Sequence, residues 1–225
     1  MVPAPDGQAA TQLWLMLPGA YMKPADFIAA DFVQALHQRR LPHDVALLDA
    51  SIPEVADGSA LRFLQKYLRE QAPMPQRRIA LLGISLGAHL ALSCFAGAAD
   101  GEAQASAASH VASACLLAPY LGPRDVTGEV AAAPSLAQWE PSGEGPLDID
   151  RRIWRWLRDR DRNDGGNGGP PLYLGYGSDD RFASAHALMA QAVPAGNVDV
   201  QPGAHTWPVW SALWNRHLDR FYAAG

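Results

Sequence analysis

A chain of 225 residues is long enough for one α/β domain with a proper core, and two domains would be cramped. Its 48% hydrophobic and 18% charged content suits a globular enzyme rather than a disordered chain, and the formal net charge of -5 argues against a nucleic-acid partner and gives no push towards acidic lipid surfaces. No apolar run reaches membrane-spanning length, since Leu13 to Leu17 stops at Pro18, and the opening MVPAPDGQAA lacks the basic start and apolar core of a secretory signal, so a cytoplasmic protein is expected.

Along the chain, strand and helix signals alternate, which predicts a parallel sheet with helices on its faces. Gln12 to Leu17 reads as a buried strand ending at Pro18-Gly19, and residues 24 to 39 as a helix burying Phe27, Phe32 and Leu36. Val45 to Leu48 is a second strand, and 59 to 70 a helix with Leu61, Leu64 and Leu68 on one side. Pro73 and Pro75 break the chain before a third strand, Arg78 to Gly83, and a helix covers 86 to 98. Ala103 to His110 reads as a surface loop and Val111 to Leu117 as a fourth strand. Between Gly122 and Gly169 the alternation fails: one helix is expected at about 148 to 160, followed by a glycine-rich linker over 163 to 169. Order then returns with a fifth strand at Leu172 to Tyr176, a helix at 182 to 192, a sixth strand at Asn197 to Gln201 and a closing helix at 207 to 222. The two cysteines, Cys94 and Cys115, fall on a helix and an apolar strand and read as buried thiols. The seven histidines are dispersed, and neither a metal nor a cofactor is expected.

The most informative stretch is Gly83-Ile84-Ser85-Leu86-Gly87, between the third strand and the helix after it. This Gly-x-Ser-x-Gly turn is the nucleophile elbow of serine hydrolases. The serine occupies a strained backbone conformation at the tip of a tight turn, and bulky residues two places before or after it would strike the neighbouring backbone. By composition alone the pattern arises in roughly one such chain in ten, so its strand-to-helix context is what carries weight. A hydroxyl is a poor nucleophile at neutral pH and needs a base, which in turn needs a partner to hold its tautomer. Two segments just past strand ends supply them: Gly177-Ser178-Asp179-Asp180 after the fifth strand, and Gly203-Ala204-His205 after the sixth. From position alone either Asp179 or Asp180 could face His205.

From the first strand through the last helix the chain resembles the α/β-hydrolase superfamily, in its small bacterial esterase and thioesterase-like members. The resemblance implies that the acid follows as Gly-x-x-Asp, which selects Asp180, and that the base sits in a Gly-x-His turn, which selects His205. It also implies an oxyanion loop after the first strand, often His-Gly-x and here Pro18-Gly19-Ala20; the change to proline costs little because the donors are backbone amides. The oxyanion hole is then assigned to the N–H groups of Leu86 and Ala20, with Tyr21 as the alternative second donor. The expected fold is a reduced α/β hydrolase: a single domain over residues 1–225, six strands in the spatial order 2-1-3-4-5-6, all parallel, with helices on both faces and residues 122–169 as a lid-like insertion.

Other residues compete for these roles. His89 lies one helical turn after Ser85 but down the elbow helix, and reads as a packing or capping residue; His186 and His217 fall on helices and read as solvent-facing or interfacial. Arg151, Arg152, Arg155, Arg158, Arg160 and Arg162 form a basic face diluted by acids, expected to be a solvated helix face, with an anionic substrate group (a coenzyme A or carrier-protein phosphate) as the lesser alternative. Taken singly, Ser85 could be a cap, His205 a satisfied polar group and Asp180 the cap of the helix from Arg181. Together they predict a serine hydrolase acting on a small-molecule ester through an acyl-enzyme. The alternatives are a thioesterase or acyltransferase serving coenzyme A or carrier-linked acyl groups, and a non-catalytic ligand-binding relative. The oligomeric state is left open.

Overall fold

The computed structural model describes residues 1–4, 10–71, 78–98, 107–142, 146–162 and 169–222. Six strands form one sheet: β1 Gln12–Leu17, β2 His43–Leu47, β3 Arg78–Ile84, β4 Val111–Leu117, β5 Leu172–Gly177 and β6 Val198–Gln201. Their spatial order is β2-β1-β3-β4-β5-β6 and every neighbouring pair is parallel, the arrangement expected from the alternating pattern. β1 and β5 are buried at every position, as strands covered on both faces must be, which is why they read as unbroken apolar runs. At the outer border of β2, Val2 forms an antiparallel bridge with Val45 through a reciprocal pair of backbone hydrogen bonds of 2.7 and 2.8 Å.

The helices are α1 Pro24–Ala29, α2 Phe32–Gln38, α3 Ile52–Ala56, α4 Ser59–Gln71, α5 Leu86–Ala98, α6 Arg124–Ala131, α7 Ile149–Arg162, α8 Ala183–Met189 and α9 Trp207–Tyr222. On one face α1, α2 and α9 share an aromatic seam. Phe27 meets Phe32 at 5.6 Å, Phe32 stacks on Trp214 at 6.0 Å, and Trp214 sets its edge against Trp14 of β1 at 4.9 Å. On the other face α4 packs on α5, and α7 packs on α5 from the far side. Covered in this way, α5 is apolar all round rather than amphipathic.

Several expectations are corrected. Residues 24–39 are two helices, not one, because Asp31 adopts a left-handed conformation (φ 62°) that breaks the first before the second begins. The short α3 was not expected; a capping box holds it, with the Ser51 N–H donating to Glu54 at 2.8 Å. The segment after Gly122 contains α6 as well as the expected helix. Half of the predicted loop at Ala103 to His110 lies outside the described residues, and of the other half Ala107 and Ala108 are helical; nearly all of the glycine-rich linker also lies outside them. Among the described residues no helix is long and apolar enough to cross a membrane.

The inserted segment packs onto the sheet domain. Ile153, Trp154, Trp156 and Leu157 of α7 are buried, the Trp154 indole N–H donates to the Leu121 carbonyl at 2.9 Å, and Trp156 lies 5.6 Å from Phe95 of α5. Arg151 joins α7 to α6 through Glu129 at 2.8 Å. The basic face is only partly solvated: Arg158 is buried and bonds Glu140 and Asp159, while Arg160 is buried over the Trp156 ring at 5.1 Å. Both cysteines are buried, and burial pushes the Cys94 thiol up to about 12.

Candidate active site

Because all six strands run the same way, their carboxyl ends meet at one rim, and the loops after β1, β3, β4, β5 and β6 are neighbours there. The chain leaves β1 towards β2 and returns to β3 on the other side, so the strand order reverses between β1 and β3. That reversal opens the crevice where open α/β sheets bind ligands.

Ser85 follows β3 at this point. It takes φ 51°, a left-handed conformation costly for a residue with a side chain. Its N–H donates to the Leu117 carbonyl at 2.9 Å, and its own carbonyl accepts from the N–H groups of His89 at 3.0 Å and Tyr120 at 3.1 Å. The flanking glycines have the steric cause expected of an elbow. A Cβ on Gly83 would lie 2.6 Å from the Ala88 backbone, and one on Gly87 would lie 2.0 Å from the Leu17 carbonyl oxygen. The second contact brings the start of α5 against the end of β1, and Gly19 in the following loop lies close to the Ile84 carbonyl. The N–H of Leu86 at the helix start and that of Ala20 in the loop thus come from two segments packed against one another. Tyr21 is 93% exposed with φ 63°.

After β5 and β6 two turns are laced together. Ser178 N–H donates to the Gln201 carbonyl at 2.7 Å, Asp179 N–H to the Gly203 carbonyl at 3.0 Å, and Gly203 N–H to Asp179 Oδ2 at 2.9 Å. Gly203 takes φ 128°, and its carbonyl approaches Gly177 so closely that only glycine fits there. The lacing fixes His205 against Asp180, whose Oδ2 lies 2.6 Å from His205 Nδ1. Asp180 Oδ1 accepts from the Phe182 N–H at 2.9 Å, so the same carboxylate caps the turn and holds the ring. Burial pulls the Asp180 carboxyl upwards, but the hydrogen bonds from His205 and Phe182 outweigh it and keep its pKa below the ordinary value. Asp179 is exposed and turned towards Gly203, so of the adjacent pair it is Asp180 that meets His205.

Aromatic rings link the histidine to the elbow. The His205 ring meets Phe182 edge-on at 5.5 Å and Trp210 at 4.9 Å; Phe182 in turn meets Tyr120 at 5.8 Å, and the Tyr120 amide is bonded to Ser85. In this conformation Ser85 Oγ and His205 Nε2 are not hydrogen-bonded to each other. Against Tyr120 and Phe182 lies a cavity of about 800 Å³, lined by residues 120–124 and part of α6 and by Arg181, Phe182 and part of α8. A separate groove of about 540 Å³ lies between β2 and α4, away from Ser85.

Tyr120 and Phe182 were not singled out from sequence, although both lie directly after a strand or acid already placed at the rim. The reading of His186 and His217 as solvent-facing is overturned, for both are buried. His186 Nε2 lies 2.9 Å from the Pro119 carbonyl, and burial pushes its pKa down to about 4. His89 is buried as expected of a packing residue, with its ring 5.6 Å from Tyr120 and its pKa pushed down to about 4 by burial.

No protein-family model and no curated protein sequence matches the chain. Solved structures do. An S-formylglutathione hydrolase (FrmB) from Staphylococcus aureus aligns with 13% identity and a TM-score of 0.60, over 95% of this chain and 81% of that one. The fluorophosphonate-binding serine hydrolase FphF from the same organism aligns with 14% identity and a TM-score of 0.59, over 98% and 84%. Est1E from Butyrivibrio proteoclasticus aligns with 13% identity and a TM-score of 0.58, over 99% and 91%. With its parallel sheet order, its Gly-x-Ser-x-Gly elbow and these likenesses, the chain has the α/β-hydrolase fold.

Proposed function

We propose that the protein is a serine hydrolase that cleaves carboxylic esters through an acyl-enzyme, with Ser85 as nucleophile, His205 as base and Asp180 as its orienting acid. The observation that carries the reading is the 2.6 Å bond between buried Asp180 and His205 at the rim where Ser85 holds a strained elbow. Asp180 accepts the Nδ1 proton, which leaves Nε2 as the free acceptor that a general base requires. Nε2 takes the Ser85 proton as Oγ attacks the ester carbonyl; that contact tightens when substrate binds, as such bonds commonly do. The N–H groups of Leu86 and Ala20 receive the developing oxyanion, each donor worth about 3 kcal/mol in the transition state. His205 then protonates the departing alcohol, and water activated by the same ring releases the acid. No step calls for a cofactor.

Several of the similar structures bear names of hydrolases and esterases, which agrees with this assignment. Residues 122–169 act as the specificity-setting insertion, since α6 lines the cavity that Tyr120 and Phe182 border. The test is covalent labelling by a fluorophosphonate together with hydrolysis of short p-nitrophenyl esters. Wild-type protein should do both and Ser85→Ala neither. Wild-type protein that neither labels nor turns over any oxygen ester or thioester would overturn the assignment.

A further inference from the structure

Resting on that reading, we infer that the substrate carries an anionic group, a carboxylate or phosphate, on the limb that enters the 800 Å³ cavity, and that Arg124 and Arg181 receive it. The cavity is of small-molecule size. Its floor is apolar, from Leu121, Ala185 and Leu188, and its only charged lining residues among those described are these two arginines. Arg124 opens α6 and Arg181 precedes α8, so the two arginines line the cavity from different elements.

Neither arginine is spent on the protein's own acids. Elsewhere in the inserted segment Arg151 pairs with Glu129 and Asp148 and Arg158 with Glu140 and Asp159, while buried Arg160 lies over the Trp156 ring. Among the described residues, Arg124 and Arg181 have no carboxylate within ion-pair distance. Arg181 instead lies over the Phe182 ring at 4.8 Å, and that ring is the one in edge contact with His205. A cation stacked in this way keeps its outward N–H groups for an acceptor. Phe182, which lines the cavity, thus touches the histidine ring on one side and the Arg181 guanidinium on the other. An ester whose carbonyl meets Ser85 would carry its charge at the far end of one limb, past an apolar middle.

Matched substrates test this. On the acyl side, mono-4-nitrophenyl glutarate is compared with 4-nitrophenyl pentanoate; on the alcohol side, 4-acetoxybenzoate with 4-tolyl acetate. The anionic member of at least one pair should have a kcat/KM about tenfold higher at low salt, as expected for two exposed charge contacts. The ratio should shrink as salt rises. It should fall towards one in Arg124→Gln, Arg181→Gln and the double variant, and Arg181→Lys should keep part of it. Which pair responds identifies the limb.

A second measurement does not need turnover. Calorimetric binding of glutaric acid monoanilide against pentananilide should show the same preference, lost in the double variant. Equal affinity for the two anilides together with equal kcat/KM within both ester pairs, or a preference that survives removal of both arginines, overturns the inference. Binding discrimination without hydrolysis of any ester would leave the charge site standing and remove the hydrolase assignment instead.

Discussion

Replacing Asp180 by asparagine isolates the chemistry from the packing. The carboxylate serves two donors, the Phe182 N–H at Oδ1 and the His205 Nδ1–H at Oδ2. Asparagine offers one acceptor and one donor. If its oxygen keeps the Phe182 amide, its NH₂ faces Nδ1 and forces the proton onto Nε2, where the ring can no longer act as base. If it flips, the NH₂ opposes the Phe182 N–H and the turn loses its cap. The first arrangement preserves the fold and should lower kcat by about 10³ to 10⁴, or about 4 to 5.5 kcal/mol. The structural cost should be only about 1 to 3 kcal/mol, the price of one buried bond. Steady-state kinetics on a p-nitrophenyl ester, with active sites counted by a slow fluorophosphonate, separates lost rate from lost protein. Asp179→Asn is the control, since that exposed side chain bonds only the Gly203 amide, and its rate should stay within about threefold of wild type. An Asp180→Asn enzyme within tenfold of wild type, or a larger loss in Asp179→Asn, would refute the reasoning.

Ser85→Gly should abolish activity yet raise stability by about 1 kcal/mol, because glycine relieves the strained φ of 51°; thermal unfolding should shift upwards by about 2 to 4 °C, and a lowered midpoint would count against the strain. Gly87→Ala sets a Cβ 2.0 Å from the Leu17 carbonyl oxygen and should cost about 3 kcal/mol or more, seen as a lower urea midpoint or insoluble protein; wild-type stability would contradict the close approach. Burial depresses His43, His89 and His186 to about 4 and His217 to about 3, against an ordinary 6.5. The unfolded chain therefore takes up protons that the folded chain refuses. Stability should be full above about pH 6.5 and fall towards pH 4 by up to about 1.4 kcal/mol per pH unit for each histidine, and the lowered Asp180 adds a further loss only below its ordinary 3.8. Circular dichroism should show cooperative acid unfolding, and a melting temperature unchanged between pH 7 and 4.5 would exclude it.

What could be read from the chain alone was whatever local chemistry dictates. β1, β4, α5 and α9 carry their boundaries in their apolar pattern and in the residues that stop them, and the elbow declares itself because two glycines are sterically required around Ser85. The turns that carry Asp180 and His205 were legible because a glycine marks each at a strand end, whereas the preference for Asp180 over Asp179 came from the resemblance to the superfamily. Other features depend on long-range contacts that no local pattern carries. The break at Asp31 is a left-handed backbone turn between Phe27 and Phe32, whose rings meet across it, and apolar spacing reads straight through it. The short α3 did have a local mark, the Ser51-x-x-Glu54 box, which apolar periodicity alone passes over. α6 has a glycine and a threonine in its middle and a proline before it, so its propensity is weak and tertiary packing decides it. The burial of His186, His217, Arg158 and Arg160 runs against residue type, and part of what covers them is distant in the chain, as Pro119 is for His186 and Tyr173 for His217.

The bridge from Val2 to Val45 has a practical corollary for anyone trimming this protein. Without it, the outward N–H and C=O of Val45, midway along the edge strand β2, would stand open to a foreign strand, the usual seed of edge-to-edge clumping. The opposite margin is guarded otherwise: β6 is only four residues long, and Arg216 and Arg220 of α9 clasp its Asp199. Shortening the amino terminus by a handful of residues thus strips a sheath rather than a tail, and self-association should follow before any loss of catalytic geometry.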